Sequence, residues 1–403
     1  MSERTVAVLS TLDTKGDETR YLREQIERLG GRALLIDIGV IGAPRTAPDV
    51  TREQVAEAGG TQLAQLTTRQ AASPVMTGGA ARILSRLIAE GKVHAVVGLG
   101  GTQGTSNCTA VMRALPYGFP KIMVSTVASG DVSAFVDIKD ITMMFSVGDL
   151  LGLNAVTRMI LANAAGAACG MARADVALEA RRSGRPTIGM TNLGVLTDGA
   201  MKAIGWFQEA GCEVIVFHAV GSGGRAMEQL MKEGLIGAVF DYAMGEIADE
   251  LYGGLRAGGP ERLTVAGSLG LPQVICPGGA EHIGLVVPAN TVPEKYRSHK
   301  YVFHNPIIFA PRLNRDEMVA VAREAARRLE KTRGRACFMI PKRGVSRYSV
   351  PGGPLHDPEG DAAFFAEFRA RLPKSIEIVE RDLGAEDPAF VREAVDRLVA
   401  MIR

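Results

Sequence analysis

The chain has 403 residues, of which 46% are hydrophobic and only 5% aromatic, and it contains 47 glycines. One hydrophobic core rarely serves more than roughly 250 to 300 residues, so the length predicts two domains, and the composition excludes a disordered chain. With 46 basic and 44 acidic residues the net charge is +2, and no long run of like charges suggests a nucleic-acid partner.

The expected cellular setting follows from the cysteines and the apolar segments. Five widely spaced cysteines without a CxxC pair are typical of reduced thiols. The opening MSERTVAVLS lacks the apolar region of a signal peptide, and no apolar stretch approaches the roughly 20 residues of a membrane span. We therefore expect a cytoplasmic protein with no membrane partner.

The first half alternates short β-branched segments with amphipathic ones, which is typical of βαβ units on a parallel sheet. The predicted strands are Thr5–Leu9, Ala33–Asp37, Ala95–Leu99, Lys121–Ser125 and Ile141–Phe145, and the predicted helices are Glu18–Arg28, Ala81–Glu90 and Leu151–Met171. Glycine and proline interrupt the alternation in Gly39–Val50, which predicts a loop beside the strand ends.

A second α/β series follows the polar segment Arg181–Pro186. Its predicted strands are Thr187–Thr191, Glu213–Phe217, Ala238–Phe240, Gln273–Cys276, Ala336–Ile340 and Ile376–Val379, and its predicted helices are Gly199–Ala210, Arg225–Glu233, Ile247–Leu251, Asp316–Lys331, Asp361–Arg371 and Pro388–Ile402. We predict two Rossmann-like doubly wound α/β domains with mostly parallel sheets, residues 1–180 and 186–403, around a shared cleft.

Polar side chains follow the first predicted strand in TLDTKGDE. Lys15 would supply a charge to a phosphate, Thr11 and Thr14 would supply hydroxyl or backbone donors, and Asp13 is a candidate ligand of Mg²⁺. The alternative is that Thr14 caps the next helix and Lys15 is only solvated.

GLGGTQGTSN follows the strand that ends near Leu99, and its glycines would let backbone N–H groups approach an anion at the next helix start. The candidate contacts in this segment are Gly100, Gly101, Thr102, Gly104 and Thr105. The GxGxxxG spacing departs from the dinucleotide fingerprint, which argues against a nicotinamide cofactor. A tight structural turn is the alternative reading.

VSTVASGD repeats this chemistry after the next strand, with Ser125, Thr126, Ser129 and Gly130 as candidates. One such cluster also fits a helix cap. Because successive βα turns of one parallel sheet meet at one edge, three of them predict a nucleotide-sized polar pocket.

FHAVGSGGRAME in the second domain predicts an anion site where a strand turns into a helix. The residues predicted to bind a small anionic substrate are Gly221, Ser222, Gly223 and Gly224, with Arg312 or Arg343 as countercharge. His218 and Glu246 are candidates for proton transfer. An empty structural turn with a hydrogen-bonded histidine is an equal alternative, because no Ser-His-Asp order or metal-ligand spacing supports the catalytic reading.

The Ala/Gly-rich helix predicted over Leu151–Ala172 carries small residues that permit close helix packing. This predicts packing between the domains or a symmetric homo-oligomer interface, with packing inside the first domain as the equal alternative.

Seven segments in this order, from TLDTKGDE through GLGGTQGT, VSTVASGD, DLLGLN, FHAVGSGGRAME and FHNP to PKRGVS…PGGPLHDPEGD, resemble the tomato mosaic virus resistance protein-like ATP-binding family and its uncharacterised bacterial members. The resemblance spans nearly the whole chain. It implies two Rossmann-like domains, with ATP and Mg²⁺ held in the first by the TLDTKG, GGTQGT and STVASGD residues. The plant member carries an additional TIM-barrel domain, so the resemblance also implies that a separate TIM-barrel subunit is a conceivable partner.

Three functions are open at this point. The first is an enzyme that binds ATP and acts on a small anionic or carboxylate substrate. The second is a regulatory ATP-binding module that acts through a partner protein. The third is a hydrolase or lyase whose phosphate-containing substrate occupies the N-terminal site.

Overall fold

The computed structural model describes residues 4–66, 68–174 and 184–403. The chain divides into two compact units, Met1–Arg182 and Ser183–Arg403. The predicted linker Arg181–Pro186 lies partly outside the described residues. Each unit is an α/β structure built on its own sheet, which confirms the predicted fold class.

The first unit is built on a parallel sheet whose buried strands are rich in valine, leucine and isoleucine. Its strands are β1 (Arg4–Ser10), β2 (Gly31–Asp37), β3 (Ala95–Gly100), β4 (Lys121–Ser125) and β5 (Thr142–Phe145). They lie in the order β2-β1-β3-β4-β5 and all pair in parallel. The order reverses between β1 and β3, and in open α/β sheets ligands bind at such a switch point.

Helices cover both faces of this sheet. They are α1 (Leu12–Arg28), α2 (Arg52–Ala58), α3 (Arg69–Ala89), α4 (Thr102–Arg113), α5 (Ser133–Val136) and α6 (Ala155–Arg173), with a 3₁₀ turn at Leu63–Gln65. One core cluster joins the sheet to α1 and α6, and a second joins it to α2, α3 and α4. The unit is therefore doubly wound, and the carboxyl ends of its strands lie along one side of the sheet.

Helix α6 packs Leu161, Ala164 and Ala168 into the first of these cores. Helix α6 thus packs within the first unit, which was one of the predicted alternatives. Of the helices in the described ranges, α6 alone is long and apolar enough to cross a membrane, by length and composition only.

The second unit repeats the strand order on a wider scale. Its main sheet contains β6 (Thr187–Asn192), β7 (Glu213–His218), β8 (Ala238–Ala243), β9 (Gln273–Gly278), β13 (Ala336–Pro341) and β14 (Ile376–Arg381). These strands are parallel and lie in the order β14-β13-β9-β8-β6-β7. The switch point lies between β6 and β8, in the same relative place as in the first unit.

A small antiparallel sheet accompanies it, in the order β10-β12-β11, with β10 (Leu285–Val286), β11 (Tyr301–Asn305) and β12 (Ile308–Pro311). The helices of this unit are α7 (Thr197–Glu209), α8 (Ser222–Lys232), α9 (Gly245–Tyr252), α10 (Val265–Leu269), α11 (Arg315–Leu329), α12 (Pro358–Arg371) and α13 (Pro388–Ile402), with 3₁₀ turns at Gly194–Leu196 and Glu294–Tyr296. Core clusters again lie on both faces of the main sheet.

Candidate functional site

A cavity of about 360 Å³ lies at the switch point of the first unit. Its wall includes Thr11, Asp13, Thr14 and Lys15 from the start of α1, directly after β1. It also includes Gly100, Gly101, Thr102 and Gly104, where β3 turns into α4. Two of the three sequence motifs thus meet at one cavity, which is of the size that small ligands occupy.

The turn from β3 into α4 brings peptide N–H groups to the cavity wall. Gly101 is the N-cap residue of α4 and, having no side chain, makes no cap hydrogen bond to the first turn. A Cβ on Gly100 would lie 2.7 Å from Cα of Gly104, so only glycine permits this close approach. The N–H groups in the first turn of a helix have no partner within the helix, so these groups and the positive end of the helix dipole both favour an anion here.

The opening motif contributes hydroxyls and one cation. The hydroxyls of Thr11 and Thr14 lie 2.8 Å apart and hydrogen-bond to each other. Lys15 has a non-helical backbone inside α1, and its Nζ donates to the carbonyl of Leu150, in the segment between β5 and α6. This bond uses one of the three N–H donors of the ammonium group, and the other two remain for a ligand phosphate.

Two carboxylates, those of Asp13 and Asp37, lie beside Gly39 in the loop that follows β2. Only Asp13 was predicted as a site residue. A Cβ on Gly39 would lie 3.2 Å from Oδ1 of Asp13 and 3.0 Å from Oδ1 of Asp37. Asp37, which is 1% exposed, accepts hydrogen bonds from the peptide N–H groups of Leu12 (3.1 Å) and Gly39 (2.8 Å). Burial raises the pKa of Asp37, opposed by these two bonds and assisted by the charge of Asp13.

Asp13 is the carboxylate that faces the cavity. Its Oδ2 accepts from the peptide N–H of Gly42 at 3.1 Å, while its buried Oδ1 finds no hydrogen-bond partner in the described part of the chain. A buried carboxylate oxygen without a donor is costly unless a cation or a donor from a ligand reaches it.

The third motif contributes differently from the prediction. Ser125 and Thr105 are fully buried and hydrogen-bond to each other at 2.7 Å, so they fix β4 to α4 beneath the cavity wall. The peptide N–H of Thr126 donates to the carbonyl of Gly100 at 3.3 Å, while Ser129 and Gly130 are exposed on the following turn. None of Thr105, Ser125, Thr126, Ser129 and Gly130 belongs to the wall of this cavity, so the structure does not bring them to it as predicted.

The rest of the wall was not predicted. It consists of Ile38, Gly39, Val40 and Ile41 after β2, Ala72, Ser73 and Met76 on α3, Gln103 and Asn107 on α4, and Leu151. Proline and glycine in Gly39–Val50 did indicate a loop beside the site. The α3 residues carry no local signal, because only the packing of α3 against α4 brings them to the cavity.

In the second unit the predicted anion turn already holds a carboxylate of the chain itself. The peptide N–H groups of Gly221 and Gly224 donate to Oε1 of Glu246, at 2.6 and 3.1 Å. Oε2 of Glu246 accepts from Nε of Arg262 at 2.6 Å, and both side chains are fully buried. An internal ion pair thus occupies the N–H groups of Gly221 and Gly224 in the predicted substrate turn, and it engages the carboxylate of Glu246 that was predicted to transfer protons.

Arg262 is the centre of a buried cluster at this switch point. Its guanidinium also pairs with Asp241 (2.6 Å from Nη2 to Oδ1) and with Glu228 (3.5 Å). Burial, with the charge of Asp241 in the same direction, raises the pKa of Glu228 to about 7, while Arg262 opposes the rise. Three acids around one guanidinium leave surplus negative charge, which does not suit an anionic substrate.

The other residues predicted as site residues in the second unit do not belong to the Arg262 cluster. His218 is exposed at the end of the edge strand β7, and Arg343 is exposed after β13. Arg312 is buried, and its guanidinium donates to Asp361 at 2.7 Å and to the carbonyl of Leu355 at 2.7 Å. The guanidinium that was predicted to serve as a substrate countercharge is therefore already paired with Asp361. Within the described residues, no group of three or more His, Cys, Asp or Glu side chains could hold a metal.

Fold and site together define a protein of two Rossmann-like α/β units, with a cavity at the switch point of the first. Models of an uncharacterised protein family, UPF0261, match residues 4–177 with its N-terminal domain and residues 185–402 with its C-terminal domain. The chain belongs to this UPF0261 family.

Relatives match along the whole chain. UPF0261 proteins of Clostridium tetani and Rhizobium meliloti are 36% and 38% identical, and the matches cover 98% and 97% of both partners. The ToMV susceptible protein tm-1(GCR26) of Solanum lycopersicum is 31% identical over 79% of this chain and 43% of its own length. The predicted resemblance to a tomato protein is thus real, and the family is UPF0261.

Among solved structures, a UDP-N-acetylglucosamine 2-epimerase is similar with 11% identity and a TM-score of 0.25, covering 68% of this chain and 79% of its own.

Proposed function

We propose that the first unit binds ATP with Mg²⁺ in the cavity between β1 and β3. The observation that carries the proposal is the meeting of Lys15 with the uncapped start of α4 at one cavity on the sheet's switch point. Peptide N–H groups, a helix N-terminus and one ammonium group form a common setting for phosphates. Thr11, Thr14 and Thr102 add hydroxyls to the same wall.

Asp13 fits the proposed Mg²⁺. Its Oδ1 is buried without a described partner, and its carboxylate belongs to the cavity wall. Mg²⁺ is commonly held by one or two carboxylates together with substrate phosphates and water, so a full protein cage is not required. When bound, the ion would neutralise charge on the phosphates.

Isothermal titration of the full chain with Mg·ATP tests this function. We expect saturable binding to one site per chain, with ADP binding more weakly because it lacks one phosphate. Absence of binding by ATP, ADP and GTP at millimolar concentration would remove the proposal. A titration repeated in EDTA measures the contribution of the metal.

A regulatory ATP-binding module that acts through a partner protein is the second candidate. It is favoured by the bond from Lys15 to Leu150, because a phosphate that draws Lys15 away would free the segment between β5 and α6. The next residue, Leu151, is 78% exposed and apolar, which is the type of side chain that a partner, such as a separate TIM-barrel subunit, could contact. The enzyme reading loses support from Glu246, which is held in an internal ion pair.

A further inference from the structure

Part of the cavity wall is apolar and does not suit phosphate groups. Ile38, Ala72 and Met76 are buried apolar residues in its wall, supplied by the end of β2 and by α3. Charged phosphates gain nothing from such side chains, whereas a flat aromatic group would be desolvated by them. This part therefore calls for a ligand group of different chemistry.

Asn107 is the polar group in the wall that can select the group bound there. It lies five residues after Thr102 on α4, which is about 7.5 Å along a helix at 1.5 Å per residue. An anion on the first turn of α4 therefore does not reach it. The residue is only 8% exposed, so neighbouring residues hold its side chain in place.

The hydrogen bonds of Asn107 leave one half of its amide unused. Its Oδ1 accepts from the hydroxyl of Ser73 on α3 at 2.7 Å and from Nε2 of Gln103 at 3.0 Å. Both lone pairs of the carbonyl oxygen are thereby occupied, which fixes the plane of the amide. Its Nδ2 donates to no other residue in the described parts of the chain, although the residue lies in the cavity wall.

We propose that Asn107 recognises the nucleobase of the bound nucleotide, with Nδ2 donating to an acceptor atom on the base edge while Ile38, Ala72 and Met76 contact the ring. Ser73 is the positioning residue that holds the amide in this orientation. The inference rests on the proposed function and adds to it the residue that distinguishes a nucleotide from a simple polyphosphate.

The experiment compares two probes by isothermal titration: Mg·ATP, and magnesium tripolyphosphate, which has the phosphates without the base. We expect Asn107→Leu to weaken Mg·ATP about tenfold and to leave tripolyphosphate unchanged, since a neutral hydrogen bond accounts for roughly a two- to tenfold change in affinity. Asn107→Asp has nearly the same shape without the donor and should lose at least as much. Asn163→Leu, at an exposed position of α6, is the matched control and should bind both probes as the wild type does.

Ser73→Ala removes only the hydroxyl that donates to Asn107, so it tests the same arrangement if Asn107→Leu does not fold. We expect it to lower the affinity for Mg·ATP and to leave the affinity for tripolyphosphate unchanged. The inference is overturned if the wild type binds Mg·ATP and the folded Asn107 variants bind it equally well, or if Asn107→Asp alone retains full affinity. It is also overturned if a variant with wild-type stability loses affinity for Mg·ATP and for tripolyphosphate to the same extent. If the wild type binds neither probe, the proposed function itself fails.

Discussion

Lys15 is the side chain whose removal most directly tests phosphate binding at the scale of single residues. Lys15→Ala should weaken Mg·ATP by about 1.5 to 3 kcal/mol, or roughly 10- to 150-fold, which is typical of a charge-assisted hydrogen bond. Lys92→Ala removes a lysine whose side chain is 65% exposed and is the control. Equal affinities of the wild type and Lys15→Ala, measured by titration, would show that Lys15 does not touch the phosphates.

Glu228 predicts a pH dependence of stability. Its pKa rises from 4.5 to about 7 in the folded state, so the folded protein retains a proton that the unfolded chain has lost between these values. The contribution of Glu228 to stability should therefore fall as the pH rises from about 4.5 to 7, by on the order of 3 kcal/mol at about 1.4 kcal/mol per tenfold change in proton affinity.

Glu228→Gln should remove this part of the decline, because glutamine does not ionise. Urea unfolding at several pH values measures it, and Glu209→Gln, at an exposed position on α7, is the control. A decline in Glu228→Gln as steep as that of the wild type would mean that Glu228 holds no extra proton in the folded state.

Sequence motifs located residues of the cavity wall only where the signal is local. Lys15 and Gly101 lie within a few residues of a strand end, so their motifs predicted their place in the cavity wall. Asp37 and Asn107 were missed because their roles depend on contacts with other segments. The Gly221 turn looked like an open anion site because the chain alone does not reveal that Glu246, 25 positions later, fills it.

At the scale of elements, helices α2 and α3 approach so closely that glycine is required between them. A Cβ on Gly79 would lie 1.9 Å from the carbonyl oxygen of Val55, whereas a Cβ on the neighbouring Gly78 would meet nothing within 4 Å. Gly79→Ala should therefore destabilise the protein by at least about 1 to 3 kcal/mol, as overpacking does. Because α3 carries Ser73 and Met76, the variant should also bind nucleotide more weakly.

Gly78→Ala is the matched control for this pair. It should stabilise α3 by about 0.5 to 1 kcal/mol, because alanine loses less backbone entropy than glycine in a helix. Denaturant unfolding of both variants measures the difference. If the two substitutions changed stability equally, close packing of α2 on α3 would not be what requires Gly79.

Most elements could be predicted from sequence, and α3 shows where that reasoning stops. Buried strands such as β1 and β3 have continuous apolar runs bounded by glycine or polar residues, so their positions were clear. The helix predicted over Ala81–Glu90 in fact begins at Arg69. Its first part was not predicted, because Pro74 and the glycines at 78 and 79 have low helix propensity. Packing of Ala72, Met76 and Ala80 into the core supplies the stability that propensity lacks.

At the scale of the whole molecule, the two units share a strand order but differ at their switch points. The first has a cavity lined by hydroxyls and one lysine, and the second has a buried ion-pair cluster. Hydrogen exchange of the full chain with and without Mg·ATP should therefore show new protection in residues 11–15 and 100–107. The N–H groups of Gly221 and Gly224 should not change, because Glu246 already accepts from them. New protection at that turn would place the ligand in the second unit.

A crystal structure of the full chain with Mg²⁺ and a non-hydrolysable ATP analogue tests the central claim most directly. We predict phosphates on the N–H groups at the start of α4, Mg²⁺ on Asp13, and Nζ of Lys15 moved from the carbonyl of Leu150 to a phosphate oxygen. The base should lie against Met76, within hydrogen-bond distance of Asn107. A first-unit cavity without nucleotide at millimolar analogue, or an analogue bound at the Gly221–Gly224 turn with Glu246 displaced, would contradict the account.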